Sequence, residues 1–150
     1  MQLTSPAFQQ ARSIPRIYTC QGRDISPPLE ISGVPEKAES LALIMDDPDV
    51  PKSVRSDGMW VHWVVCNIDP HLTHIEEEAE PFGLLGRNTG GENRYMGPCP
   101  PDREHRYFFK LYALDTKLEI KKGFTKEELL AKMKGRILAE AELMGLYVKS

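Results

Sequence analysis

Asp47-Pro48-Asp49-Val50-Pro51 sets two carboxylates around a proline. Pro48 holds Asp47 extended, and Asp49 is placed to close an Asx turn. A rigid turn accounts for Asp49 and Pro51. It does not account for an acid at Asp47, which ends an apolar run where an unpaired charge is costly. His62, inside Trp60-Val61-His62-Trp63-Val64-Val65, is the expected partner. An interior histidine taken alone reads as a satisfied core residue. A carboxylate on one of its ring nitrogens would fix the tautomer and leave the other nitrogen for a ligand.

Tyr95-Met96-Gly97-Pro98-Cys99-Pro100-Pro101 is poor in backbone donors, because three prolines in its last five residues have none and fix φ, leaving there the N–H groups of Gly97 and Cys99. Two readings stay open: a structural corner with a cis proline, or a rim whose remaining donors face an anion. His105 and Tyr107 follow on one face of the next strand. Two imidazoles, a phenol and loop N–H groups converging on one place suit a phosphate or carboxylate.

Asp47, His62 and His105 could form a facial metal triad, but no helical spacing fixes them together, so no metal is expected. Cys99 near His105 suggests Cys–His catalysis, yet no helix N-terminus is there to activate the thiol. Both rank below simple anion binding. His71, His74 and the run Glu76-Glu77-Glu78-Ala79-Glu80 read as solvated loop.

Three strands must position these groups. Leu41 to Met45 is a short apolar run stopped by Asp46-Asp47-Pro48, which predicts a strand buried on both faces. Trp60 to Ile68 predicts a central strand, with Trp60, His62, Val64, Cys66 and Ile68 on one face and Val61, Trp63 and Val65 on the other. Arg106 to Leu114 predicts another, with Tyr107, Phe109, Leu111 and Ala113 sharing a face. Residues 70 to 104, rich in Gly, Pro, Asn and Glu, form a long connection with a short strand inside it. Thr125-Lys126-Glu127-Glu128 is a capping box, and Leu130, Met133, Ile137, Ala141 and Met144 then recur at helical spacing, predicting a helix that runs to Gly145. Strands first and helix last favour a β-sandwich over a parallel βαβ sheet.

Composition sets the bounds. One domain over residues 1–150 is expected, 41% hydrophobic and 27% charged. Nineteen basic against 22 acidic residues give a net charge of −3, which argues against nucleic-acid binding. No apolar run approaches the ~20 residues of a membrane span, and no signal peptide is evident, so a cytoplasmic protein is expected. Cys20, Cys66 and Cys99 are odd in number with no C-x-x-C pair, so reduced thiols are expected.

Together these motifs resemble the phosphatidylethanolamine-binding protein family, in its bacterial branch of Raf kinase inhibitor-like proteins. The residues that carry the resemblance are Asp24-Ile25-Ser26-Pro27-Pro28-Leu29, Ser40 through Pro51, Trp60 through Val65, Tyr95 through Pro101, His105-Arg106-Tyr107 and Leu138 through Leu143. The resemblance implies a mostly-β sandwich, a large antiparallel sheet packed on a smaller one, with a C-terminal α-helix and short peripheral helices. It also implies a pocket for phosphate or other small anionic head groups, lined by Asp47, Trp60, His62, Gly97, Cys99, Pro100, His105 and Tyr107. Arg106 alternates away from that pocket and reads as structural. Homodimers are a further expectation, with Trp63 or Tyr112 on the far sheet face taking part.

Three functions compete. A non-enzymatic anion-binding protein, without cofactor, is favoured. A protein-interaction inhibitor of a kinase or protease, acting through its surface, is the alternative. A hydrolase or lyase using Asp47 and His62 as an acid–base pair is the third.

Overall fold

The computed structural model describes residues 1–150. The elements are β1 (Gln2–Thr4), β2 (Arg12–Ser13), β3 (Leu29–Ser32), β4 (Ser40–Asp47), β5 (Trp60–Ile68), β6 (His74–Ile75), β7 (Leu84–Leu85), β8 (His105–Leu114), α1 (Lys126–Met133) and β9 (Ile137–Tyr147). A 3-10 turn spans Arg16–Tyr18. One sheet has the order β1-β3-β6, the other β2-β9-β8-β4-β5-β7. The large sheet is antiparallel except where β2 runs parallel to β9.

The chain makes three layers. Leu3, Leu29, Ile31 and Ile75 of the small sheet pack with Leu43, Met45, Trp63, Phe109 and Leu111 of the large one. On the opposite face of the large sheet, Ala42, Ile44, Val64 and Leu114 pack under Leu129 and Met133 of α1. All eight residues of β4 are buried, which is why its middle, Leu41 to Met45, is continuously apolar rather than alternating.

β5 departs from simple alternation. Met45 pairs with Trp63 and Asp46 with Val61, so His62 is an extra residue without an opposite partner; a second shift lies between Leu41 and Leu43, where Asn67 takes a φ of 52°. Each bulge flips which face later side chains occupy. Trp63, Val65 and Ile68 therefore share the inter-sheet core, while Val61, Val64 and Cys66 face α1. The strict two-face division of this strand is corrected accordingly, and Trp63, fully buried, is no surface for a second copy.

The C-terminal helix is also corrected. The capping box forms as expected, with Thr125 and Glu128 exchanging hydrogen bonds, but α1 ends at Met133. Gly135, at φ +78°, turns the chain, and residues 137–147 run as β9 along the whole of β8. Ala139, Ala141, Leu143, Gly145 and Tyr147 alternate toward the core side, a period of two that coexists with the helical spacing of Ile137, Ala141 and Met144. The winning term is the ladder: β8 has an otherwise open edge whose backbone groups need partners. The long connection holds two short strands, β6 and β7.

Candidate functional site

At one end of the large sheet, β4, β5 and β8 and the loop 95–101 surround a cavity of about 400 Å³. Asp47, Trp60, His62, Gly97, Cys99, Pro100, His105 and Tyr107 all line it, so the structure brings every expected site residue to one place. Cys20 and Asp24 line it as well. They come from the segment after the 3-10 turn, a stretch with no periodicity to mark its position.

The hydrogen bonds differ from the expected ones. Asp47 is paired with His105, not His62: Asp47 Oδ2 lies 2.6 Å from His105 Nδ1. The other nitrogen, His105 Nε2, lies 2.6 Å from Asp102 Oδ1. Two carboxylates thus hold the His105 ring, one at each nitrogen. Burial pushes the Asp47 carboxyl above its ordinary range, against the lowering effect of His105; the hydrogen bond from His105 lowers that of Asp102. Asp47 Oδ1 accepts the Asp49 N–H at 2.7 Å, so Asp47 rather than Asp49 makes the Asx turn.

Asp49 is instead gripped by Arg106, whose Nε and Nη2 donate at 3.0 and 2.8 Å and whose backbone N–H donates at 2.9 Å. This fork holds the Asp49 carboxyl below the usual range. It also fixes the start of β8 against the turn after β4, and so the position of the Asp47–His105 pair.

The bulge in β5 aims His62 at the cavity. Its Nδ1 lies 2.6 Å from Met96 O, and a carbonyl only accepts, so Nδ1 carries the proton and Nε2 presents a lone pair. A loop carbonyl thus fixes the tautomer that the sequence assigned to Asp47. Burial pushes the His62 pKa down to about 4, which keeps the ring neutral near pH 7.

Tyr107 packs between the two imidazoles, edge-on to His62 with ring centroids 5.3 Å apart and stacked on His105 at 6.4 Å. Its hydroxyl is buried and makes no hydrogen bond of good geometry, with the Asp47 carboxylate and the Cys99 backbone N–H as its polar neighbours. Burial and then the Asp47 and Asp49 carboxylates raise its pKa beyond the phenol range, so it remains a donor.

The proline-rich loop is a wall. The cis peptide of the chain is Glu80–Pro81, not one within this loop. The Gly97 N–H, expected to face an anion, donates to Asp24 Oδ1 at 2.7 Å. A Cβ at Gly97 would collide with Tyr18 O and Thr19 Cα, so glycine permits the close approach of the two segments. Trp60 Nε1 donates to Met96 Sδ at 3.3 Å, and Trp60 and Pro100 both line the cavity.

Cys99 is disulfide-bonded to Cys20. That corrects the expectation of reduced thiols and removes Cys99 as a nucleophile. Cys66 alone is free, and its burial pushes the thiol up to about 12. His71 and His74 are exposed, as expected of loop histidines.

A family model described as phosphatidylethanolamine-binding protein matches residues 4–148. A UPF0098 protein of Chlamydia trachomatis is 56% identical over 149 residues, 99% of each chain. Another, of Methanothermobacter thermautotrophicus, is 50% identical and covers 98% of each. Among solved structures, a putative homologue of that family, CT736 from Chlamydia trachomatis, superposes with a TM-score of 0.97 at 55% identity, covering 99% of this chain and 97% of that one. Escherichia coli YbcL, described as a new member of the mammalian PEBP family, gives 0.88 at 30% identity, covering 99% and 98%. No helix is long and apolar enough to cross a membrane.

Proposed function

The chain belongs to the phosphatidylethanolamine-binding protein family, and from that premise we propose that it is a binding protein without catalytic turnover, whose cavity takes a small head group bearing a phosphate. The observation that carries this reading is the Tyr107 hydroxyl, buried without a hydrogen bond of good geometry on the wall of a cavity that His62 and Asp47 also line. A buried hydroxyl left unpaired costs about 1–3 kcal/mol. A ligand oxygen accepting from it would recover that cost.

The electrostatics narrow the chemistry. Asp24 and Asp47 put carboxylates in the lining, and neutral His62 offers an acceptor at Nε2. A bare anion would meet these acceptors with repulsion. A ligand that brings its own proton or ammonium alongside the phosphate meets them with attraction. A phosphoethanolamine-like head group supplies both: phosphate oxygen to Tyr107, an acidic proton at His62 Nε2, ammonium toward a carboxylate.

A hydrolase or lyase would need Asp47 to orient His62, and Asp47 is engaged by His105 instead. This favours binding over proton shuttling at His62.

The reading is tested by thermal-shift titration with inorganic phosphate, phosphoethanolamine and acetate, on wild type and Tyr107→Phe. A ligand at a hundred times its Kd stabilises the folded state by about 2.7 kcal/mol. The expected result is a shift with phosphoethanolamine that Tyr107→Phe reduces. No shift with any of the three, or equal shifts in both proteins, contradicts it.

A further inference from the structure

Cys20 and Cys99 are both solvent-exposed and both line the mouth of the cavity, so their disulfide is open to attack from outside. It joins the segment after the 3-10 turn to the proline-rich wall. That wall cannot be stitched into a β ladder, because Pro98, Pro100 and Pro101 have no N–H to donate. Three hydrogen bonds cross the same seam: Cys20 N–H to Pro98 O at 3.1 Å, Gly97 N–H to Asp24 Oδ1 at 2.7 Å and the Tyr95 hydroxyl to Tyr18 O at 2.7 Å. The disulfide is the one covalent tie on that seam. The third cysteine, Cys66, is buried in β5 on the other face of the large sheet and cannot compete for exchange.

We infer that Cys20–Cys99 is a thiol–disulfide exchange site for a dithiol reductant of the thioredoxin class, and that exchange there sets the order of the cavity's proline-rich wall. A thiolate of the reductant attacks one sulfur of the pair. The Cys20–Cys99 bond breaks, a mixed disulfide forms, and the released sulfur takes up a proton. The second thiol of the reductant then displaces the remaining protein sulfur, closing the reductant's own disulfide. Two electrons and two protons pass to the chain, which ends with two free thiols. With the tie gone, the seam rests on three hydrogen bonds and the Arg94–Asp24 ion pair at 3.6 Å, and Gly97, Cys99 and Pro100, which lie beyond the Met96–His62 hydrogen bonds, are freed to move away from Tyr107 and His62.

The consequence for a ligand rests on the binding reading above; the exchange and the loosening of the wall do not. The experiment therefore reads them separately. The native protein, isolated without reductant, is exposed to dithiothreitol as the dithiol probe, pulse-alkylated and weighed, while amide hydrogen exchange is followed at Cys20 and Gly97. The inference expects two alkyl groups per chain under native conditions, with Cys66 unlabelled, and at least tenfold faster exchange at both amides. A Cys20→Ser/Cys99→Ser variant should reproduce the faster exchange without any reductant; if it does not fold, reduced wild type carries the comparison. A disulfide that resists dithiothreitol until the chain unfolds, or that is reduced with both amides unchanged, overturns the inference. Phosphoethanolamine titrated into both forms should bind the reduced form at least fivefold more weakly. Absence of binding to either form would count against the binding reading, and the amides would still decide this one.

Discussion

Tyr107 and His62 are the residues in which stability and function pull apart. Because the Tyr107 hydroxyl is buried without a hydrogen bond of good geometry, Tyr107→Phe removes a polar group that folding leaves poorly satisfied. Its melting temperature is expected to equal or exceed that of wild type, while its affinity for phosphoethanolamine falls about tenfold, the worth of one lost hydrogen bond. Calorimetry on the two proteins checks both halves. His62 makes the fold pH-sensitive. Its folded pKa is about 4 against about 6.5 in an unfolded chain, so between these values the unfolded state binds the extra proton. Stability is therefore full above about pH 6.5 and declines as pH falls, by roughly 2 kcal/mol between pH 7 and pH 5. Urea unfolding at the two pH values measures this. His62→Asn, whose amide can still donate to the Met96 carbonyl, is expected to flatten the slope.

Strand β9 shows how local pattern and tertiary demand compete over one element. In β9 a Cβ at Gly145 meets Ile14 Cγ1 at 2.5 Å and the Phe8 ring at 2.8 Å, so Gly145→Ala is expected to destabilise by about 1–3 kcal/mol, read by chemical denaturation. Thr125→Ala, which deletes the cap of α1, should cost about 1 kcal/mol. Much of the large sheet was legible before the structure. β4 and β8 announce themselves by an unbroken apolar run and by clean alternation, and both occupy their expected positions. β9 was not, since Ile137, Ala141 and Met144 fit a helix while Ala139, Ala141, Leu143 and Gly145 fit a strand. Only the open edge of β8, invisible in sequence, decides between them. The site was legible as a set of residues and not as a set of bonds. Bulges that re-aim His62, and partners 58 and 79 positions apart for Asp47–His105 and Cys20–Cys99, leave no local trace.

Across the whole molecule, the cavity depends on two layers being held at a fixed offset. The large sheet supplies Asp47, His62, His105 and Tyr107, and the loops supply a wall anchored at Tyr95, which packs against Trp63 in the core, and beyond it held by hydrogen bonds and one disulfide. Linking positions 79 residues apart removes much of the freedom of the unfolded chain, worth about 2–4 kcal/mol. Scanning calorimetry with and without a dithiol should therefore show the reduced protein melting roughly 5–15 °C lower. The central claim is that neutral His62 and the poorly satisfied Tyr107 hydroxyl wait for a protonated phosphate head group. An anion beside His62 Nε2 favours the charged ring, so its pKa should rise on binding and affinity should grow as pH falls from 7.5 to 6. The most direct measurement is the nitrogen–proton NMR spectrum of the His62 ring during titration with phosphoethanolamine at these two pH values. The account predicts that Nε2 moves from the lone-pair to the protonated or hydrogen-bonded position, at lower ligand concentration at pH 6, and that Tyr107→Phe needs about ten times more ligand. A His62 ring that stays unchanged at saturating phosphoethanolamine would contradict it.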